Sequence, residues 1–354
     1  MSSKKTILVC PLNWGLGHAT RMIPIIDDAI VQGHSVIIAS DGDALYLLQK
    51  HFPKLQTIEL PNLKIQYGKG FFAALIFLIS IPKILVWIKK DSKKLQEIIK
   101  QQKIDLIISD NRWGLWNKAV KSIFVTHQLM VKMPKLFSYI EKFGYYLQQH
   151  FLKHFDEIWI PDTANAIQNI SGDLSHKYIP QKPIKYIGVL SQFAKIEPQL
   201  EFKYDIAVIL SGPEPHRSIL EKTILEKIES LHVKAIVVGG KLSDSTQINS
   251  ENTTYIAFAN TAELQEIYSQ SKHIICRSGY TSLMDLITLG KSAIIIPTPS
   301  QTEQEYLAEY LSKKGWFISL KQDEIEEISM ETFEKLNQLK LIELPINAPK
   351  AFSF

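Results

Sequence analysis

Short apolar, largely β-branched runs alternate along the chain with longer segments whose apolar positions recur every three or four residues. That pattern predicts parallel sheets built from strand-helix-strand units. In the first half, strands are expected at Thr6–Cys10, Ser35–Ala39, Leu55–Leu60, Asp105–Ser109, Ser122–Thr126, Glu157–Ile160 and Tyr186–Val189. In the second half they are expected at Asp205–Leu210, Ala235–Val238, Thr254–Ile256, His273–Cys276 and Ser292–Ile296. Ile23, Ile26 and Ile30 fall on one helical face, and Gly33 is placed to end that helix. The periodicity lapses over Ser191–Lys203, "SQFAKIEPQLEFK", which contains Pro198. The expected architecture is therefore α/β, with two Rossmann-like, doubly wound parallel-sheet domains facing across a cleft: residues 1–192, a linker at 193–203, and residues 204–354.

One segment departs from the alternation. Residues 71–88, "FFAALIFLISIPKILVWI", are almost wholly apolar and run into Lys89, Lys90, Lys93 and Lys94. Pro82 and Lys83 break the run near its middle, so it does not read as a spanning helix. Two readings stay open for 71–94: a packing helix with a solvated lysine end, or a peripheral membrane contact whose lysines meet anionic headgroups.

Composition narrows the class. A chain of 354 residues exceeds one ordinary core, and 45% hydrophobic with 21% charged residues excludes a disordered chain. The net charge of +4 falls short of the clustered cationic balance of a nucleic-acid binder, so no nucleic-acid partner is expected. Cys10 and Cys276 form neither a disulfide framework nor a metal spacing, which points to a reducing cytoplasm. The N-terminal apolar run is too short for a signal peptide and breaks at Pro11.

Two stretches carry candidate chemistry. In "NWGLGHATRMIPI", Gly15 and Gly17 permit positive φ and a close backbone approach to a ligand at a helix start. Thr20 stands where a dinucleotide fingerprint needs its third glycine. His18 is then a candidate general base, and Asp110, ending the strand "DLIISD", a candidate partner to orient it. The bland alternatives are a turn-capping histidine and a capping aspartate. In "CRSGYTSLMDLITLGKSAIIIPTPSQTEQEYLAEYL", Arg277, Ser278 and Gly279 open a helix suited to an anion, and Asp285 lies two turns in, placed to accept from a ribose diol. Glu303 and Gln304 begin a further helix. Asp41-Gly42-Asp43 looks like a metal-binding D-x-D but is read as a pair of acidic turn residues capping the second strand. Trp113 and Trp116 either stack on a sugar or fill the core.

These motifs, in this order, resemble the inverting nucleotide-sugar glycosyltransferases of the GT-B fold, in particular family 28. That family includes the bacterial transferase of N-acetylglucosamine to a lipid-linked peptidoglycan precursor. The resemblance implies that the C-terminal domain holds the donor and the N-terminal domain the acceptor. On the donor side it assigns Asp285 to the ribose, Ser278 and Gly279 to the pyrophosphate, Glu303 and Gln304 to the sugar hydroxyls, and the loop of Phe258 to the base. Arg277, Ser211, Gly212 and Arg217 are further donor contacts, although the loop "SGPEPHR" carries prolines and Glu214 where relatives often have glycines. On the acceptor side stand His127 and Gln128, and, by position alone, Asn111, Arg112 and Trp113.

The implied activity is metal-independent and needs no cofactor beyond the nucleotide sugar, expected to be UDP-linked. His18 removes the proton of a hydroxyl on a lipid, glycan or small-molecule acceptor. Asp285 and Ala293 stand where retaining members carry a pair of glutamates, so the expected outcome is inverting. The implied place is the cytoplasm, with the inner membrane face open through 71–94. Two alternatives remain: a nucleotide-sugar epimerase of the same fold, and a non-catalytic nucleotide-sugar-binding subunit.

Overall fold

The computed structural model describes residues 4–63, 72–133, 139, 141–197, 199–242, 244–340, 343–344 and 352–354, apart from the side chains of 72–80 and 143. Phe71 and Pro198 lie outside them. The chain forms two compact units, Met1–Leu190 with Pro345–Phe354, and Ser191–Leu344.

The first unit runs β1 (Thr6–Pro11), α1 (Leu16–Val31), β2 (Ser35–Ser40), α2 (Gly42–His51), β3 (Gln56–Glu59), α3 (Phe72–Gln101), β4 (Leu106–Asp110), β5 (Lys121–Val125), α4 (Glu141–Leu152), β6 (Glu157–Ile160), α5 (Asp173–His176) and β7 (Ile184–Tyr186). Its strands lie in the order β3-β2-β1-β4-β5-β6-β7, all parallel. Strands buried on both faces read as continuous apolar runs, which is why β1, β2 and β4 were legible. One face packs Leu8, Cys10, Ile37 and Ile107 against Leu95 and Ile98 of α3. Helix α1 ends where the glycine was expected: Gly33, at φ 84°, donates to Ile30 and His34 donates to Ala29, closing a Schellman motif. The helix passes unbroken through Pro24.

The second unit runs β8 (Tyr204–Ile209), α6 (His216–Leu231), β9 (Ala235–Val238), β10 (Gln247–Asn249), β11 (Thr253–Ile256), α7 (Thr261–Gln270), β12 (Ser271–Cys276), α8 (Tyr280–Leu289), β13 (Ile294–Ile295), α9 (Thr302–Lys313), β14 (Ile318–Ser319) and α10 (Met330–Asn337). The order is β10-β11-β9-β8-β12-β13-β14, with β10 antiparallel and the rest parallel. In each sheet the order reverses once, between β1 and β4 and between β8 and β12. Loops leaving the carboxyl ends of those strands diverge and open a crevice, the usual ligand position in such sheets.

Two expectations about the division need correction. The end of the chain does not belong to the second domain: Phe352 stacks on Trp159 with centroids 5.6 Å apart, Phe354 meets His34 edge-on, and Lys5 donates to the Phe354 carbonyl. The expected linker is not independent either. Within it, Phe193 packs edge-on against Tyr268 of α7.

In α3, Ile84, Trp87, Asp91, Leu95 and Ile98 are buried along one face, while Leu85, Val86, Lys89, Lys90 and Lys93 are exposed. Among the described residues no helix is long and apolar enough to cross a membrane.

Candidate functional site

In the first unit the site grows from the switch point. Pro11 of β1 lies in register with Asp110 of β4, and Leu12 N–H donates to the Asp110 carbonyl, so the loop leaving β1 passes directly over the aspartate. Asn13 pins that loop, donating to Asp41 and accepting from Ala44 N–H. Gly15 then takes φ 85°, a value that favours glycine, and α1 begins with no side-chain cap and no acidic residue in its first turn. Gly17, expected to share that freedom, instead lies in the first turn of α1.

The result is that His18 faces Asp110. Its Nδ1 stands 3.2 Å from both carboxylate oxygens, with the ring 16% exposed and the carboxylate fully buried. Arg21, one turn further along α1 and unremarked in the sequence, completes the group. Its Nε donates to Asp110 Oδ2 at 2.7 Å, its Nη2 to Oδ1, and its Nη1 to His127 Nδ1 at 2.9 Å. Burial pushes the Asp110 carboxyl up, but Arg21 and His18 outweigh it and take it down to about 2. Asp110 is thus ionised at any working pH and able to hold a ring proton on His18.

The other acceptor-side candidates divide. His127 joins the cluster through Arg21. Asn111 takes φ 54° immediately after Asp110, donating from its backbone to Val125, and Gln128 is fixed by backbone bonds to Thr126 and Gln148. Arg112 is not at the site. Its buried guanidinium donates to Asp91, Asp41 and the Pro61 carbonyl and lies over Trp87, so it is a structural cation. The same pairing holds the Asp41 carboxylate, and α2 receives no side-chain cap from Asp41. Trp113 stacks on Phe151 and Trp116 on His154, beside a cluster around Phe124 and Phe155, which places both in the core.

In the second unit the loops after β8, β12 and β13 converge. Arg277, following β12, is buried and donates to the carbonyls of His216 and Pro297 and to Gln322 Oε1. None of these partners is anionic, and burial brings the guanidinium down to about 10. Arg277 therefore ties three loops together and leaves a net positive charge beneath the start of α8. That helix begins after Gly279 with no side-chain cap and no acidic residue in its first turn, an arrangement suited to phosphate oxygens. Ser278 Oγ donates to the Gln304 carbonyl, while the Gln304 side chain accepts from Thr298 N–H and donates to Gln301. Glu303 lies half-buried in the first turn of α9, and Phe258 half-buried between β11 and α7.

Gly212, at φ 101°, follows Ser211 on the loop after β8. A Cβ there would lie 3.5 Å from Thr298 Oγ1, so this loop lies beside the one after β13. Arg217 does not serve that loop as a free cation. It donates to Glu214, Glu221 and the Gly239 carbonyl, and is held as an internal strut. Asp285 accepts from Ser191 Oγ at 2.5 Å and from the Gln192 main chain; burial pushes its carboxyl up to about 7 despite both bonds. Among the described residues no group of three or more His, Cys, Asp or Glu is placed to hold a metal ion.

Two parallel-sheet units with these strand-end sites make this a GT-B glycosyltransferase fold, and solved structures agree. The calicheamicin glycosyltransferase CalG4 superposes with a TM-score of 0.62 at 11% identity, covering 95% of this chain and 90% of that one. Acinetobacter baumannii MurG gives 0.54 at 14% identity, with coverage of 95% and 90%. Residues 217–348 match the glycosyltransferase family 28 C-terminal domain. The UDP-N-acetylglucosamine–N-acetylmuramyl-(pentapeptide) pyrophosphoryl-undecaprenol N-acetylglucosamine transferase of Glaesserella parasuis serovar 5 (strain SH0165) is 22% identical over 94% of this chain and 90% of its own length. The C-terminal part of the chain thus matches the glycosyltransferase family 28 C-terminal domain, and the whole chain has the GT-B glycosyltransferase fold.

Proposed function

We propose that this protein is an inverting, metal-independent glycosyltransferase that moves a hexose or N-acetylhexosamine from a UDP-linked donor to a hydroxyl of a lipid-linked acceptor, with His18 as general base. The observation that carries the reading is the His18–Asp110 contact at the switch point of the first sheet. With hydrogen on Nδ1 shared with the carboxylate, Nε2 has a lone pair to take the hydroxyl proton, and Asp110 holds the ring in that orientation. Glycosyl transfer passes through an oxocarbenium-like state, so the departing diphosphate also needs stabilising. The start of α8 and the charge of Arg277 supply that, Asp285 accepts from the ribose, Phe258 flanks the base, and Ser278, Glu303 and Gln304 line the donor.

UDP and a lipid-linked acceptor are favoured because the similar Glaesserella parasuis enzyme is named for both. The exposed Leu85 and Val86 beside Lys89, Lys90 and Lys93 support peripheral contact with an anionic membrane face. The test is release of UDP from UDP-sugars by the purified protein, with and without polyprenyl-diphosphate-linked sugar acceptors. Acceptor-dependent release with an anomerically inverted product is expected; sugar interconversion without acceptor, or no turnover of any nucleotide sugar, would overturn the reading.

A further inference from the structure

Arg21 stands apart from the proposed chemistry, yet it touches every titrating group of the first site. It is 1% exposed, and besides Asp110 and His127 its Nη2 lies 2.9 Å from Nδ1 of His18. Nδ1 therefore has two neighbours with opposite demands. Asp110 only accepts and calls for hydrogen on Nδ1, whereas Arg21 only donates and calls for a lone pair there. Hydrogen on Nδ1 leaves Nε2 bare and basic; a lone pair on Nδ1 puts the hydrogen on Nε2 and ends the base role.

A third state matters more. A buried carboxylate facing a histidine alone would draw it into the doubly protonated cation, which has no lone pair at all. Here the carboxylate already holds a guanidinium on both oxygens.

We propose that Arg21 is a positioning residue that keeps His18 uncharged: its two-pronged pairing with Asp110 cancels the charge that would otherwise hold His18 as a cation, while leaving the carboxylate to orient the ring. Nη1 acts in the same sense on His127, whose Nδ1 must be a lone pair to accept, so that ring carries its hydrogen on Nε2.

The other charged groups on the surrounding elements do not replace this balance. Asp41, after β2, is bound to Arg112. Helix α2 contributes Asp43 at its start and Lys50 and His51 in its last turn, and α1 carries Asp27 and Asp28 beyond Arg21.

The consequence for turnover rests on His18 being the base, but the protonation claim does not, so the experiment reads them separately. The full chain, labelled with 15N-histidine, is titrated by NMR from acid to alkaline pH as wild type, Arg21→Lys and Arg21→Gln, and kcat/KM is measured over the same range. In Arg21→Gln the His18 midpoint should move up by about one to three pH units, the effect of exposing a titrating group to an unneutralised opposite charge. The acid limb of the rate profile should follow it, and Arg21→Lys, which keeps the charge, should restore most of both. A moved midpoint with an unmoved rate profile sustains the role of Arg21 and removes His18 as base. An unmoved midpoint in folded Arg21→Gln overturns the proposal. Should that variant not fold, Asp110→Asn decides the matter: the His18 midpoint must fall below that of the wild type, and a constant or raised midpoint overturns the proposal equally.

Discussion

Asp285→Asn tests whether the second unit holds an uncompensated buried carboxyl within α8. Burial keeps this group at about 7 in the folded chain, against 3.8 for an ordinary aspartate. Between those values the folded protein binds a proton that the unfolded chain has released, so stability falls as pH rises from about 4 to 7 and stays low above it. A gap of about 3 pH units at 1.36 kcal/mol each gives a ceiling of about 4 kcal/mol. Asparagine keeps an acceptor for Ser191 and carries no charge. The variant should therefore unfold at higher temperature than the wild type at pH 8, by on the order of 10 °C for a unit of this size, with the difference vanishing near pH 4. Thermal unfolding followed by circular dichroism across that range reads it directly. A wild-type curve that is flat from pH 5 to 8, or a variant less stable at every pH, would refute the argument. The ionised carboxylate is also the better acceptor for ribose hydroxyls, so UDP affinity measured by calorimetry should rise through pH 7 in the wild type and stay level in the variant.

Arg112→Ala leaves Asp41 and Asp91 buried without their cation, and urea unfolding should show a loss of about 3–5 kcal/mol; a loss below about 1 kcal/mol would mean that the triad is not a structural centre. Replacing Leu85 and Val86 by serine, on the exposed face of α3, should reduce flotation with anionic vesicles at unchanged melting temperature, and equal flotation would remove this face from membrane contact.

The parallel sheets were legible because their central strands are buried on both sides and read as near-continuous apolar runs, with polar residues mostly at their ends. The edges were not. All three residues of β10 are exposed, β14 is two residues long, and β7 falls at Ile184–Tyr186, ahead of the expected Tyr186–Val189, because its half-buried positions carry little pattern. His18 and Asp110 were within reach because Asp110 ends β4 and His18 opens the helix that follows β1, both beside the switch point, where position follows from topology. Arg21 was not, since an arginine on the apolar face of a helix shows its purpose only once β4 is alongside. Arg112, placed on the acceptor side, and Arg217, placed on the donor side, were misread for one reason: a cation near a strand end resembles a ligand contact until its carboxylates are found. For Arg112 they come from distant segments, Asp41 and Asp91. For Arg217 they stand at i−3 and i+4, Glu214 and Glu221, a spacing already visible in the sequence. Trp113 and Trp116 have no such signal, since the rings they stack on belong to α4 and the residues just after it.

The most direct test of the account is His18→Ala, assayed for acceptor-dependent UDP release and, on the same preparation, for UDP binding by calorimetry. If His18 is the base, turnover falls about 100-fold or more while nucleotide affinity stays within about twofold of the wild type. Turnover at the wild-type level would contradict the claim that the first site carries the chemistry.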